Sequence, residues 1–376
     1  MIERKLLLGD EAIALGAIHA GISGVYAYPG TPSTEITEYI QGHAQEVRSR
    51  WCTNEKTAME AALGMSYAGK RALVCMKHVG MNVAADAFVN SAITGVNGGL
   101  VVLAADDPSM HSSQNEQDSR FYGKFAMIPI LEPSTQQEAY DMMKYAYALS
   151  EEKKLPVLLR VVTRLAHSRA GVVVNDLMPQ NALNPDKERT WVLLPAIARR
   201  QYASLVAKQP DLVESSEHSP YNGMNAFEGK AKLGVIACGI AYNYVMENDP
   251  QSLGIPVLKV SQYPLPEASI KALAAQCESL LVAEDGQPLV EEQVKAILGA
   301  DYALKGRLTG DLPRMGELTP DCVGAALGVN IEQPYTEAQN VMPRPPALCQ
   351  GCGHRDLYDA LNKVAAAYEG ARIFGD

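Results

Sequence analysis

Short apolar runs alternate with longer stretches of helical periodicity along most of the chain. Apolar runs at 24–28, 71–76, 99–104 and 157–162 read as strands, and the segments 10–21, 53–69, 83–94 and 135–152 between them read as helices. The first helix carries Ala12, Ile13, Leu15, Gly16 and Ile18 on its buried side. Strands that are apolar on both faces, separated by helices, predict a parallel sheet covered on both sides. Over 174–228 the rhythm is lost, and the stretch reads as an extended linker with one amphipathic helix near 195–208. The α/β pattern resumes with strands at 233–238, 257–260 and 279–284, each followed by a helix. A proline-rich stretch at 333–346 marks a further boundary, followed by a helix at 356–369 and a strand at 371–374. The expected organisation is a first α/β domain over 1–175, a linker over 176–231, a second α/β domain over 232–335 and a third segment over 343–376.

The helix 53–69 organises the rest. Thr53 or Asn54 caps its start and Gly69 supplies its left-handed stop. Its body of Ala58, Met59, Ala61, Ala62, Leu63, Gly64, Met65 and Ala68 lets backbones approach closely, against a sheet or a twin subunit. Glu55 lies in its first turn, where a carboxylate suits the helix dipole. Beside an apolar crevice, the same carboxylate can act as an acid–base group on a heterocycle.

Three further stretches follow predicted strands, the place where α/β folds build ligand sites. Pro29-Gly30-Thr31-Pro32-Ser33-Thr34-Glu35 is a turn opening a helix, capped by Ser33 or Thr34. Lys77-His78-Val79-Gly80-Met81-Asn82 reads as a loop in which Gly80 permits close backbone approach and Lys77 or His78 meets an anion. The polar run 105–120 is too dense in Gln, Asn, Glu, Asp and Arg for a bare connection and reads as an ordered, hydrogen-bonded loop. Arg120 at its end suits bidentate binding of a carboxylate, and equally a surface role. Glu284-Asp285 after a strand reads as structural.

Composition narrows the class. A chain of 376 residues at 47% hydrophobic content supports two or three domains with real cores. A net charge of −10 with no basic cluster argues against nucleic acid. The opening apolar run is interrupted by Asp10 and Glu11, unlike a signal peptide, and no run of about 18 apolar residues is present to span a membrane. Five of the seven cysteines are scattered singly in apolar surroundings, as in a reduced cytosolic protein. Only Cys349 and Cys352 form a motif, and two thiolates at that spacing suit an iron–sulfur cluster, zinc or a redox disulfide.

Five motifs occur in order: YPGTPSTEI, NEKTAMEAALGMSYAG, MKHVGMNVAAD, ADDPSMHSSQNEQDSR and LPVLLRVVTRLAHSR. Together they resemble the thiamine-diphosphate-dependent 2-oxoacid:ferredoxin oxidoreductases, and within them the large (alpha) subunits of the indolepyruvate enzymes. The resemblance implies a parallel-sheet pyrimidine-binding domain, then a smaller transketolase C-terminal-like α/β domain that usually carries no catalytic residues. It implies that Glu55 hydrogen-bonds the aminopyrimidine of thiamine diphosphate and promotes its imino tautomer, which readies the thiazolium carbon for attack on a 2-oxoacid. Thr31, Lys77, His78 and Arg120 are the expected substrate contacts, and Tyr28, Pro29, Gly30, Glu55, Gly80, Asn82 and Gly375 the expected cofactor contacts. Gly375-Asp376 matches the start of the motif that holds Mg2+ on the diphosphate, with Asp376 as ligand. Cys349 and Cys352 match a position that in some relatives helps ligate a 4Fe-4S cluster completed elsewhere.

The implied reaction is oxidative decarboxylation of an arylpyruvate to its acyl-coenzyme A, with electrons passed to ferredoxin. The implied setting is a cytoplasmic homodimer with a smaller (beta) subunit. The aryl preference rests on the resemblance alone, since 5 Phe and 2 Trp are too few to indicate an aromatic pocket. Because the sequence stops inside the Mg2+ motif, it reads as truncated within the diphosphate-binding domain. Two other readings stay open: a non-oxidative thiamine-diphosphate decarboxylase, and a non-catalytic dimerising or docking fragment.

Overall fold

The computed structural model describes residues 4–185, 191–331, 340, 348 and 350–373. By contacts the chain divides into two units, Met1–Ile331 and Glu332–Asp376. The first unit begins with β1 (Arg4–Leu8), α1 (Gly9–His19), β2 (Gly24–Ala27), α2 (Thr34–His43), β3 (Arg48–Trp51) and α3 (Glu55–Tyr67). It continues with β4 (Ala72–Lys77), α4 (His78–Thr94), β5 (Leu100–Asp106), α5 (Arg120–Ala126), β6 (Ile130–Leu131) and α6 (Gln136–Lys153). β7 (Val157–Val162), α7 (Thr163–His167) and β8 (Arg169–Val173) close this half. The apolar β4, β5 and β7 are buried almost throughout, as central strands of a sheet covered on both faces must be. α1 is more deeply buried than an amphipathic pattern requires, because Gly16 lets it lie against the backbone of Tyr140 on α6.

The segment read as a linker carries two helices rather than one, α8 (Pro195–Ala207) and α9 (Gln209–Glu217). Then come β9 (Gly223–Met224), β10 (Ala231–Cys238), α10 (Ala241–Met246), β11 (Val257–Val260) and β12 (Gln262–Tyr263). α11 (Glu267–Gln276), β13 (Cys277–Ala283), α12 (Leu289–Leu298), β14 (Leu304–Lys305) and α13 (Pro320–Ala326) complete the unit.

A seven-stranded sheet runs β12-β6-β7-β5-β4-β2-β3 and a five-stranded one β14-β13-β10-β11-β9, while β1 pairs antiparallel with β8. Within the larger sheet only β12 is antiparallel, its Gln262 and Tyr263 facing Leu131 and Ile130. The second α/β region therefore adds a strand to the first sheet, and residues expected to form two domains share one compact unit.

The second unit holds α14 (Gly353–Ala365), whose Leu357, Leu361 and Val364 are exposed. The strand expected at 371–374 is not formed by Ala371, Arg372 or Ile373, and Phe374 lies outside the described residues. Among the described residues no helix is long and apolar enough to cross a membrane.

Candidate cofactor and substrate site

The carboxyl ends of β2, β4 and β5 converge on one rim of the larger sheet. Here the sequence expectation of a loop over 77–82 is corrected: β4 runs to Lys77 and α4 starts at once with His78. Gly80 is thus a helical residue in the first turn of α4. Its missing side chain leaves room for Glu55, because a Cβ there would lie 2.7 Å from both Cγ and Oε1 of that residue. Glu55 opens α3 behind the cap Asn54, whose side chain accepts from Thr57 N at 2.9 Å. The outcome is a buried carboxylate at a helix N-terminus, packed against a second helix's first turn.

The turn after β2 folds on itself. Gly30 N donates to Thr34 Oγ1 at 2.9 Å and Ser33 Oγ donates to Gly30 O at 2.8 Å, so neither side chain makes the expected cap of α2. Tyr28, Pro29 and Thr31 are exposed at its tip. Gly30 lies under the stem of Lys77, where a Cβ would meet Lys77 Cδ at 3.0 Å. Lys77 Nζ donates to Ser112 O at 3.1 Å, and Ser112 Oγ donates to Thr31 O at 3.4 Å. Burial pulls the Lys77 ammonium below the usual lysine range, with Asp107 opposing. His78 is fully buried and its Nε2 lies 3.1 Å from Asn115 O, a carbonyl that can only accept, so Nε2 carries hydrogen. Its Nδ1 is buried without a hydrogen-bond partner. Asn82, further along α4, accepts from the Tyr122 hydroxyl and is exposed.

The polar run 105–120 is ordered, as its composition suggested. Asp107 accepts from Ser112 N at 2.8 Å, Ser113 Oγ at 2.7 Å and Thr163 Oγ1 at 2.8 Å, which hold its carboxyl below the usual range despite burial. Glu116 accepts from Gly316 N at 3.0 Å, tying the run to the second α/β region.

Arg120 requires a correction. It was expected to bind a substrate carboxylate, yet it is fully buried and already spent on protein partners. Its Nη2 lies 2.5 Å from Asp118 Oδ2 and 3.0 Å from Glu284 Oε2, and it also donates to Gln287 O at 3.0 Å. Arg160 extends this lattice to Asp106 at 2.7 Å and to Glu132, whose other oxygen accepts from Tyr263 at 2.6 Å. Burial works against charge here, but the two arginines hold the Asp118 carboxyl down to about 2. Burial pushes Glu284 up to about 7 and Asp285 up to about 6. The structural reading of Glu284-Asp285 fits these positions, and the lattice around them escaped the sequence reading. Its one signal was Arg160, alone in an otherwise apolar strand.

Cys352 precedes α14, with Sγ 3.3 Å from His354 Nδ1. Cys349, Gly375 and Asp376 lie outside the described residues.

A parallel α/β sheet with a buried glutamate opening one helix, a glycine making room for it, and a smaller α/β layer beyond is the architecture of the pyrimidine-binding part of thiamine-diphosphate enzymes. Solved structures that share the fold include the following two. One is 2-oxoglutarate:ferredoxin oxidoreductase from Magnetococcus marinus (TM-score 0.68, 16% identity, 87% of this chain and 65% of that one). The other is a split-gene transketolase described as an inactive β4 tetramer (TM-score 0.56, 15% identity, 86% and 97%). Residues 15–210 match the family model described as pyruvate flavodoxin/ferredoxin oxidoreductase, thiamine-diphosphate-binding, and the chain belongs to that family. Its relatives include the indolepyruvate oxidoreductase subunit IorA of Archaeoglobus fulgidus, 41% identical over 96% of this chain and 61% of that one. The IorA subunit of Methanothermobacter thermautotrophicus is 39% identical over 98% and 62%. The 2-oxoglutarate synthase subunit KorA of Methanocaldococcus jannaschii is 26% identical over 46% of this chain. The chain thus spans about three fifths of the length of the IorA relatives.

Proposed function

We propose that this chain is the N-terminal part of a 2-oxoacid:ferredoxin oxidoreductase acting on arylpyruvates of the indolepyruvate type. The overall change is 2-oxoacid, coenzyme A and two oxidised ferredoxins to acyl-coenzyme A, carbon dioxide, a proton and two reduced ferredoxins. The observation that carries the reading is the Glu55 carboxylate seated against Gly80 at the sheet rim. Thiamine diphosphate, when bound, supplies the nucleophilic carbon. This chain's own contribution is a carboxylate that accepts and returns a proton at the aminopyrimidine ring. Gly80 makes room for Glu55 and Gly30 for the stem of Lys77, and these two glycines with Tyr28, Pro29 and Asn82 would border the cofactor. Thr31 and Lys77 face the anionic 2-oxoacid, with Lys77 fixed by the Ser112 carbonyl, whereas His78, expected as a third contact, is fully buried with its Nε2–H on Asn115 O.

The finer parts of the reading follow the family. Mg2+ would be held in part by Gly375-Asp376, and Cys349 and Cys352 would help ligate a 4Fe-4S cluster with groups from outside this chain. The setting is the cytoplasm, with a smaller (beta) subunit, and with coenzyme A and ferredoxin as the other reactants. A homodimer forms through the 57–68 face of α3, where Ala61, Leu63 and Met65 are half-buried and nothing lies within 4 Å of a Cβ built on Gly64.

The test is Glu55→Gln in the complete enzyme complex. We expect the fold and subunit composition to persist while 2-oxoacid-dependent ferredoxin reduction falls about 10²–10⁴-fold, the usual worth of a positioned acid–base group. Turnover within a few-fold of the parent removes Glu55 from the site and the reading with it.

A further inference from the structure

Away from the rim carboxylate, three elements bring their ends together. Asp10 is the second residue of α1, Glu35 the second residue of α2, and His167 the last residue of α7. The approach is close because Gly9 has no side chain: a Cβ there would lie 2.8 Å from the carbonyl carbon of Leu165, and Gly9 N donates to Ser168 O at 3.1 Å. His167 Nε2 stands 3.9 Å from Asp10 Oδ2 and 3.7 Å from Glu35 Oε1, and one ligand atom from each of the three residues falls within 4.8 Å of the others. These separations are too long for hydrogen bonds.

The independent observation is the state of Asp10. Its exposure is 0%, and both carboxylate oxygens are buried without a hydrogen-bond partner. They do not turn back to the free N–H groups of their own helix, as an acid in a first turn can. Glu35 Oε2 is buried and unpartnered as well. A buried carboxyl group, charged or neutral, needs a partner, and none of the described protein groups around Asp10 provides one.

We propose that Asp10, Glu35 and His167 form a site for a divalent first-row transition-metal cation of the Mn2+, Fe2+ or Zn2+ class. The 3.7 and 3.9 Å separations from His167 are each shorter than two zinc–nitrogen or zinc–oxygen bonds of about 2.0–2.2 Å laid end to end, so one cation can bridge them. Two carboxylates and one imidazole match this class in softness, whereas Ca2+ takes six to eight oxygens and Cu(I) selects sulfur. Two carboxylates and a neutral imidazole also balance a double positive charge. The cation ties the start of α2, which leads out of the Thr31 turn, to the ends of α1 and α7. Its role is to fix that turn.

The test uses the full chain, stripped of metal and without thiamine diphosphate, titrated with Mn2+ and read by loss of the free-ion EPR signal. Mn2+ is chosen because thiolates such as Cys349 and Cys352 compete poorly for it. The expected result is one Mn2+ per chain and a melting temperature that rises to a plateau with added metal. Asp10→Asn should abolish binding. His167→Gln should weaken it by at least about tenfold, since even groups one step removed from a metal cost that much. Glu60→Gln, an exposed acid elsewhere, should change nothing. His167 is partly exposed, so its variant is informative even where Asp10→Asn does not fold. Absence of stoichiometric binding, or the same binding in the Glu60 and His167 variants, overturns the proposal.

Discussion

Gly80→Ala separates a site built around Glu55 from a helix that merely contains a glycine. The backbone at Gly80 is not in the left-handed region, so alanine fits the helix and gains up to about 1 kcal/mol of helix propensity. The added Cβ, however, would stand 2.7 Å from Glu55 Cγ and Oε1 and 3.0 Å from Cδ. Ordinary carbon contacts lie near 3.5–4.0 Å, so the Glu55 side chain must withdraw by about 1 Å. It can do so because it is the end of a flexible chain, and stability should change by no more than about 1 kcal/mol. A displacement of about 1 Å in a reacting group is worth on the order of 10²-fold in rate. The assay is 2-oxoacid-dependent ferredoxin reduction by the complete complex, beside thermal melting of the same preparation. A near-parental melting temperature with about a hundredfold loss of turnover is the expected pair. A folded variant that turns over within twofold of the parent refutes the reasoning.

Arg120→Met should destabilise the chain by about 3–5 kcal/mol in urea unfolding, because Glu284 loses its cation and Asp118 keeps only the more distant Arg160; a loss under 1 kcal/mol would contradict a structural role for Arg120. Burial raises Glu284 from 4.5 to about 7, so the stability this group contributes is fully present below pH 4.5 and is lost as pH rises through about 7. Between pH 5 and 7.5 the Glu284→Gln variant should therefore gain about 2–3 kcal/mol on the parent, and a pH-independent difference would contradict the assignment. The α3 face should make the chain a dimer in light scattering at micromolar concentration, and a folded monomer there would count against that interface.

Much of the larger sheet was legible because its central strands are buried on both faces and so carry no polar alternation. Asn54 and Glu55 were legible for a local reason: capping is decided within four residues. What escaped depends on distant partners. β3, with the sequence RSRW and mostly exposed, has no apolar signature because it lies at the sheet edge. β1 and β8 pair across more than 160 residues, and β12 leaves its own region to extend a neighbouring sheet. Gly80 was read as part of a loop following a strand, where it permits close approach; it lies instead in the first turn of α4, and what approaches it is Glu55 from α3. Arg120 was misread for a related reason. A charged residue closing a polar run looks exposed until Glu132, Tyr263 and Glu284 arrive from elsewhere in the fold.

The buried lattice bears on the rim even though no substrate reaches it. Taking several charges out of water is costly, and well-packed apolar residues would often be as stable or more so. Stability alone is therefore a weak reason for Asp106, Asp118, Arg120, Glu132 and Arg160 to lie together. Their geometry suggests positioning instead. Asp106 is anchored by Arg160 and accepts from Ser119 N at 3.0 Å, fixing one end of the polar run. The adjacent Asp107 fixes its middle through Ser112 and Ser113. Ser112 in turn contacts Lys77 and Thr31, the two groups proposed to face the 2-oxoacid. A loop of this length held only by surface contacts would sample many conformations, and the entropy of ordering it would fall on substrate binding. Held by buried charges, it would be ordered before the proposed substrate arrives.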